Sequence, residues 1–200
     1  MAHQLQRTLR VFILTLAWHG VALAQADTPI TGQWTMGDLA GDQVLLNIQR
    51  VNVNSMMNNV SPVNLSRFRG LSRIQFDSPG SLVRFELVRD AGTIRFDGYV
   101  ASGGGGGTFE FVPNPNFADR MSSSGYSALT PEKTFLCAVY DVGLDFAREI
   151  RSTGLQEVTL DNLIRLRGQG ISSDYIRKVQ KRFKDISVND LIRLKGAGIL

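Results

Sequence analysis

Between Gly32 and Val112 the apolar side chains fall at every second position, and this constrains the first half of the chain to strands. Val44, Leu46 and Ile48 alternate with Leu45, Asn47 and Gln49. Val83, Phe85 and Leu87 alternate with Arg84, Glu86 and Val88, Ile94 and Phe96 with Arg95 and Asp97, and Phe109 and Phe111 with Thr108 and Glu110. A period of two sends successive side chains to opposite sheet faces, one apolar and one solvated. Arg89-Asp90-Ala91-Gly92 is a tight turn between two such strands. The pattern predicts an antiparallel β meander, curved or closed into a partial barrel, whose apolar face is covered by closure on itself or by helices. Trp34, near the first strand, reads as core. From Val51 to Leu71 the alternation lapses, and Asn52, Asn54, Asn58, Asn59 and Asn64 mark a loop with Met56-Met57 as an apolar tip. Asn59-Val60-Ser61 and Asn64-Leu65-Ser66 are formal glycosylation sequons, relevant only in a eukaryotic host. Gly103 to Gly107 lack the following Lys-Ser/Thr and helix of a phosphate loop, and read as a flexible hairpin connection.

The second half has helical punctuation. Pro113 and Pro115 end the strands, Asn116 to Met121 predicts a short helical turn, and Thr130-Pro131-Glu132 is an N-cap with a first-turn proline and acid for a helix running to about Asp141. The chain then repeats: residues 157–171 recur 28 residues later as 185–199, with seven of fifteen positions identical. Asp145-Phe146-Ala147-Arg148 resembles Asp174-Tyr175-Ile176-Arg177 after a one-residue slip. A fixed period of this size signals stacked supersecondary units. Each unit reads as two short helices, with Thr159 and Ser187 as N-caps and Gly154, Gly168 or Gly170, and Gly196 or Gly198 as stops. The expected fold class is therefore α+β: the β meander, then short helices in a helical-hairpin repeat of about 28 residues.

The N-terminus reads as a secretory signal. Arg7 and Arg10 precede an apolar run from Val11 to Ala24, which ends in Ala24-Gln25-Ala26. The run is shorter than the roughly 20 residues that span a bilayer, so cleavage after Ala26 is expected, leaving no transmembrane anchor and a periplasmic or secreted chain. The expected division is 1–26 signal peptide, 27–117 β domain, 118–141 connecting helical segment and 142–200 helical repeats. The signal holds two of the 22 basic residues and none of the 18 acids, so the mature chain carries a net charge of +2. Both histidines, His3 and His19, also lie in the signal. That removes histidine bases, triads and metal ligands from the mature chain. Cys137 is the single cysteine, set in the apolar run Phe135 to Val139, and reads as a buried, inert thiol.

From Ala91 to Ile199 the chain resembles a recurrent type of bacterial envelope sequence. The marks are a strand pattern ending in a Gly-rich stretch and Phe-x-Phe, here Gly104 to Phe111, and then helical repeats. Each repeat has an aromatic-start helix, a break, and Leu-Ile-x-Leu-basic-x-x-Gly-Ile; Arg182-Phe183 stands where the first helix of the second unit usually ends in Gly. Similar repeats lie behind some sensor metallopeptidases of the BlaR class. The peptidase is not implied, since the chain has no His-Glu-x-x-His motif. The resemblance implies an extracytoplasmic sensing or interaction segment.

These features predict a non-catalytic interaction module with an envelope protein partner, and no catalytic, cofactor or metal residues are assigned. One alternative is nucleic-acid binding through a helix-hairpin-helix outline. There Gly168 and Gly170 would offer backbone N–H groups to a phosphate, and Arg165, Arg167, Arg177, Lys178, Lys181 and Arg182 would add charge. The other is an acid-only glycan hydrolase using Asp97 and Glu110, which share the predicted solvated face.

Overall fold

The structure is a computed structural model that describes residues 29–38, 41–52 and 55–199. The expected signal peptide at 1–26 lies outside the described residues. An antiparallel sheet of seven strands carries the first half: β1 (Ile30–Asp38), β2 (Gln43–Asn52), β3 (Ser55–Asn64), β4 (Phe68–Arg69), β5 (Ser81–Arg89), β6 (Gly92–Ala101) and β7 (Gly104–Pro113). Their order is β3-β2-β1-β7-β6-β5-β4. Every strand pairs with its neighbour in sequence except β3 with β4, and β7 returns to β1.

This connectivity forces the sheet to curl. In a flat sheet the two edge strands would stand six spacings apart, about 29 Å. The chain from Asn64 to Phe68 reaches at most about 14 Å. The result is a half-barrel with its two edges joined by a 3-10 turn, Leu65–Arg67. Its concave side carries the predicted apolar set: Trp34, Val44, Leu46, Ile48, Phe85, Ile94, Phe96 and Phe109 are buried. Aromatic rings fill it, Phe85 stacking on Phe96 at 4.7 Å and Trp34 meeting both edge-on.

Two expectations are corrected. The Asn-rich segment is not a loop: Ser55–Asn64 pairs with β2 along its whole length, from Asn52↔Ser55 to Gln43↔Asn64. It is an edge strand, so its inward positions Met57, Asn59 and Ser61 are only partly buried and tolerate polar side chains. Pro62, which cannot donate to a ladder, is accommodated at such an edge. The glycine run, too, is mostly strand. Only Ser102-Gly103 form the turn, while Gly104 to Gly107 begin β7. A Cβ on Gly107 would lie 2.1 Å from the Asp97 carbonyl oxygen, and one on Gly98 2.7 Å from the Trp34 ring. Glycine lets β6 and β7 close beneath the indole, whose N–H donates to the Asp97 carbonyl at 3.2 Å.

A short helix, α1 (Arg73–Phe76), precedes β5, and six helices follow the sheet: α2 (Phe117–Ser123), α3 (Pro131–Tyr140), α4 (Leu144–Arg151), α5 (Leu160–Gly168), α6 (Ser173–Gln180) and α7 (Val188–Gly196). Thr130, Thr159 and Ser187 cap α3, α5 and α7 through their side chains, as their positions predicted. The helix α6 stops at Gln180 without a glycine; the Arg182 and Phe183 N–H groups both donate to the Val179 carbonyl. Helices of seven to ten residues are marginal alone, and these are held by tertiary contact. Phe135 of α3 stacks on Phe109 at 5.6 Å and meets Phe111 at 5.4 Å, joining α3 to the concave face. The buried side chains of sheet and helices form one continuous cluster. No helix among the described residues is long and apolar enough to cross a membrane.

Candidate interaction surface

The proposed phosphate-contacting residues separate into two groups. Arg165 donates to Asn189 at 2.8 Å and to Asn162, tying α5 to α7. Arg167 donates to Asp141 at 3.1 Å and lies 4.9 Å from the centre of the Phe146 ring. Gly168 closes α5, and Gly170, at φ +62°, turns the chain out of it. The Gly170 N–H donates to the Arg167 carbonyl and the Ile171 N–H to the Leu166 carbonyl, so both serve the helix's own C-terminus. The second group is on the exposed end of α6. Arg177 donates to Ser152 at 2.9 Å and to Asp174. Lys178, Lys181 and Arg182 are exposed and form no ion pair among the described residues.

The acids of the hydrolase alternative are not brought together in one cleft. Asp97 pairs with Arg84 at 2.6 Å beside an open groove of about 600 Å³ on the outer sheet face, which Glu110 does not line. In β6, Arg95 is the residue opposite Glu110. Cys137 is fully buried, and burial pushes its thiol up to about 12, with the Asp161 charge adding to the effect. That suppresses the thiolate a nucleophile requires.

Matching geometry recurs along the helical half. Asp141, Gly170 and Gly198 follow α3, α5 and α7 with φ of +58°, +62° and +68°. The next residue in each case, Val142, Ile171 or Ile199, donates its N–H back into the helix at 2.8, 2.9 and 3.0 Å. Ala128, Glu157 and Asp185 stand two residues ahead of the three N-caps, also at positive φ. The helices between agree as well. Phe117 and Met121 of α2, Phe146 and Ile150 of α4, and Tyr175 and Val179 of α6 are buried pairs of the same spacing. The sequence reading placed a short helical turn at Asn116 to Met121 but missed its likeness to the two later segments. Phe117-Ala118 and Ser123-Ser124-Gly125-Tyr126 against Phe146-Ala147 and Ser152-Thr153-Gly154-Leu155 is the signal that would have found it.

Burial does not follow the same regularity. Tyr126 and Leu155, ahead of α3 and α5, are 4% and 8% exposed, whereas Phe183, ahead of α7, is 43% exposed. Val142 and Ile171 are each 1% exposed, but Ile199 is 42%. Cys137 and Leu166 are buried, and Leu194 is only partly so. The difference is in what lies above each turn. The helix α4 lies on the turn ahead of α3: the Tyr126 hydroxyl donates to the Ala147 carbonyl, and Arg151 sits 5.3 Å from the Tyr126 ring centre. The helix α6 lies on the turn ahead of α5, with Arg177 on Ser152 and Gln180 donating to the Thr153 carbonyl at 3.2 Å. Among the described residues, no helix lies on the turn ahead of α7. Phe183 and Ile199 are therefore left exposed at the two ends of α7, with Lys181, Arg182 and Lys184 next to Phe183 in sequence. Ile192 lines a groove with Tyr140, Ile164 and Arg165, and the Tyr175 hydroxyl of α6 donates to the Ile199 carbonyl at 2.9 Å.

The helices α3 and α4 are fixed to the sheet through charged joints. Arg89, at the end of β5, has a side chain only 9% exposed and pairs with Asp141 at 2.9 Å, and Asp141 also accepts from Arg167. Burial lowers the Arg89 pKa and Asp141 opposes that shift. The Asp90 carboxylate accepts the Leu144 N–H at 3.0 Å, supplying the N-terminal cap that Gly143 lacks. Glu132 of α3 pairs with Arg50 of β2. No protein-family model, curated protein or solved structure matches this chain.

Proposed function

We propose that the chain is a non-catalytic interaction or sensing module of the bacterial envelope, exported by its N-terminal signal, and that it engages a protein partner through the α6–α7 end. The observation that carries this reading is the exposure of Phe183 and Ile199, whose counterparts one unit earlier are buried. Apolar surface left in water costs roughly 25 cal/mol per Å², and clustered rather than scattered exposure is a mark of contact surfaces. Phe183 is flanked in sequence by Lys181, Arg182 and Lys184, so a partner with an acidic border is favoured. A photo-crosslinking residue at position 183, with the still more exposed position 74 of α1 as a control, tests this in envelope extract. A discrete protein adduct at 183 and not at 74 is expected. Absence of any adduct at 183 overturns the reading.

A second reading rests on a separate observation, the unpaired and exposed Lys178, Lys181 and Arg182. Nucleic-acid binding through these residues would weaken steeply with salt and be lost on K181E/R182E. Such binding with no adduct at 183 would replace the protein-partner reading.

A further inference from the structure

We infer that the outer face of the sheet is a second binding site, independent of the α6–α7 end, and that its ligand is a neutral glycan chain of N-acetylated sugars.

The strand register lines up one row of polar side chains across six strands. Arg84 is opposite Asp97, Asp97 opposite Thr108, and Thr108 opposite Gln33. Gln33 is in turn opposite Gln49, and Gln49 opposite Asn58. Directly opposed residues share a sheet face. The neighbours Trp34, Ile48, Phe96 and Phe109 are buried on the concave side, so this row is on the outer one. Five strand spacings make it about 24 Å long. Two hollows open on it. The one of about 600 Å³ is lined by Leu82, Arg84, Asp97 and Thr108 and by the paired glycines Gly98 and Gly107. The other, of about 320 Å³, takes in Gln33, Gln49 and Asn58 together with Met56. In the adjacent row Gly106 stands between Thr35 and Tyr99, and bare backbone at that point lets a ligand approach closely.

The side chains define the ligand's chemistry. Arg84 and Asp97 pair at 2.6 Å, and the other four members are uncharged, so the row has no net charge. A polyanion would call for a positive one, and a peptide strand would add to a sheet edge rather than lie on a face. Among the described residues, the side chains of Thr108, Gln33, Gln49 and Asn58 make no hydrogen bond. Their hydroxyl and amide groups both donate and accept, which is what sugar hydroxyls and acetamido groups require. Leu82, 88% exposed, is opposite Tyr99, 49% exposed, in the adjacent row. These two offer apolar surface to acetamido methyls and to the C–H faces of sugar rings.

Chitohexaose, titrated into the full chain by calorimetry, is the probe. Saturable binding is expected, at least tenfold tighter than that of cellohexaose, which lacks the acetamido groups. The double variants R84A/D97A and Q33A/T108A are each expected to weaken it at least fivefold, and Phe183→Asp to leave it unchanged. All five side chains are exposed, so the variants are expected to keep the parent circular dichroism. Retention on purified peptidoglycan, competed by the hexamer, identifies a wall strand as the source of the ligand; hexamer binding without retention identifies a free oligosaccharide. No saturable binding by the parent chain overturns the inference. So does equal affinity for cellohexaose, or affinity unchanged in both double variants.

Discussion

Burial in α3 decides the chemistry of Cys137. Its thiol is pushed from 9.0 up to about 12, chiefly because a thiolate there would lose its hydration. A folded-state pKa above the unfolded one stabilises the fold fully below about pH 9 and progressively less as pH rises toward 12. Denaturation midpoints at pH 8 and pH 10.5 are expected to converge in Cys137→Ala relative to the parent chain, since the variant lacks this group's contribution. The parent thiol is expected to react with a disulfide reagent only on unfolding; rapid labelling of the folded chain at pH 8 would contradict its burial. The residue was legible as a buried thiol because every neighbour from Phe135 to Val139 is apolar. The roles of Arg165 and Arg167 were not legible. Both are exposed enough to look like a binding surface, and their partners, Asn189 and Asp141, are 24 and 26 residues away.

At the scale of elements, β7 depends on its glycines for close approach rather than flexibility. Gly107→Ala would drive a Cβ into the Asp97 carbonyl, and overpacking of this kind costs about 1–3 kcal/mol. Gly104→Ala is the control, since its nearest neighbour, the Met36 carbonyl oxygen, would be 3.5 Å away. The expected result is a clear drop in denaturation midpoint with red-shifted Trp34 emission for the first variant and little change for the second. Equal effects would show that backbone freedom, not space, selects glycine here. A run of glycines in sequence signals both a loop and a crowded strand, and only the position of β6 and Trp34 distinguishes them. Likewise β3 escaped notice because the alternation test assumes that one face is buried. An edge strand whose inward side is half-covered leaves no such trace.

The whole molecule is held together by joints between layers. Arg89 bridges to Asp141 at the C-terminus of α3, Asp90 caps α4, and Phe135 lies on Phe109. Trp34 is the only tryptophan outside the first 26 residues, so its fluorescence reports on the sheet, while ellipticity at 222 nm is dominated by the helices. The two transitions are expected to coincide, as the shared core requires. Asp141→Asn keeps a side chain that tolerates positive φ but removes the charge facing Arg89. Its cost should lie between the roughly 1 kcal/mol of an exposed pair and the 3–5 kcal/mol of a fully buried one. Both midpoints should fall together. Separated transitions would mean that sheet and helices melt as independent units.

The local signals in the chain, period two and helix caps, were sufficient to specify an antiparallel sheet followed by short capped helices. Each of these depends on residues within a few positions of one another, and propensity, side-chain direction and helix capping act over that range. The curl of the sheet, the crowding that demands glycine and the covering of α3 and α5 but not α7 depend on residues brought together from distant parts of the chain. Solvent exposure of an apolar side chain is a property of its surroundings: Ile171 and Ile199 have the same residue type and the same cap, yet one is buried and the other open.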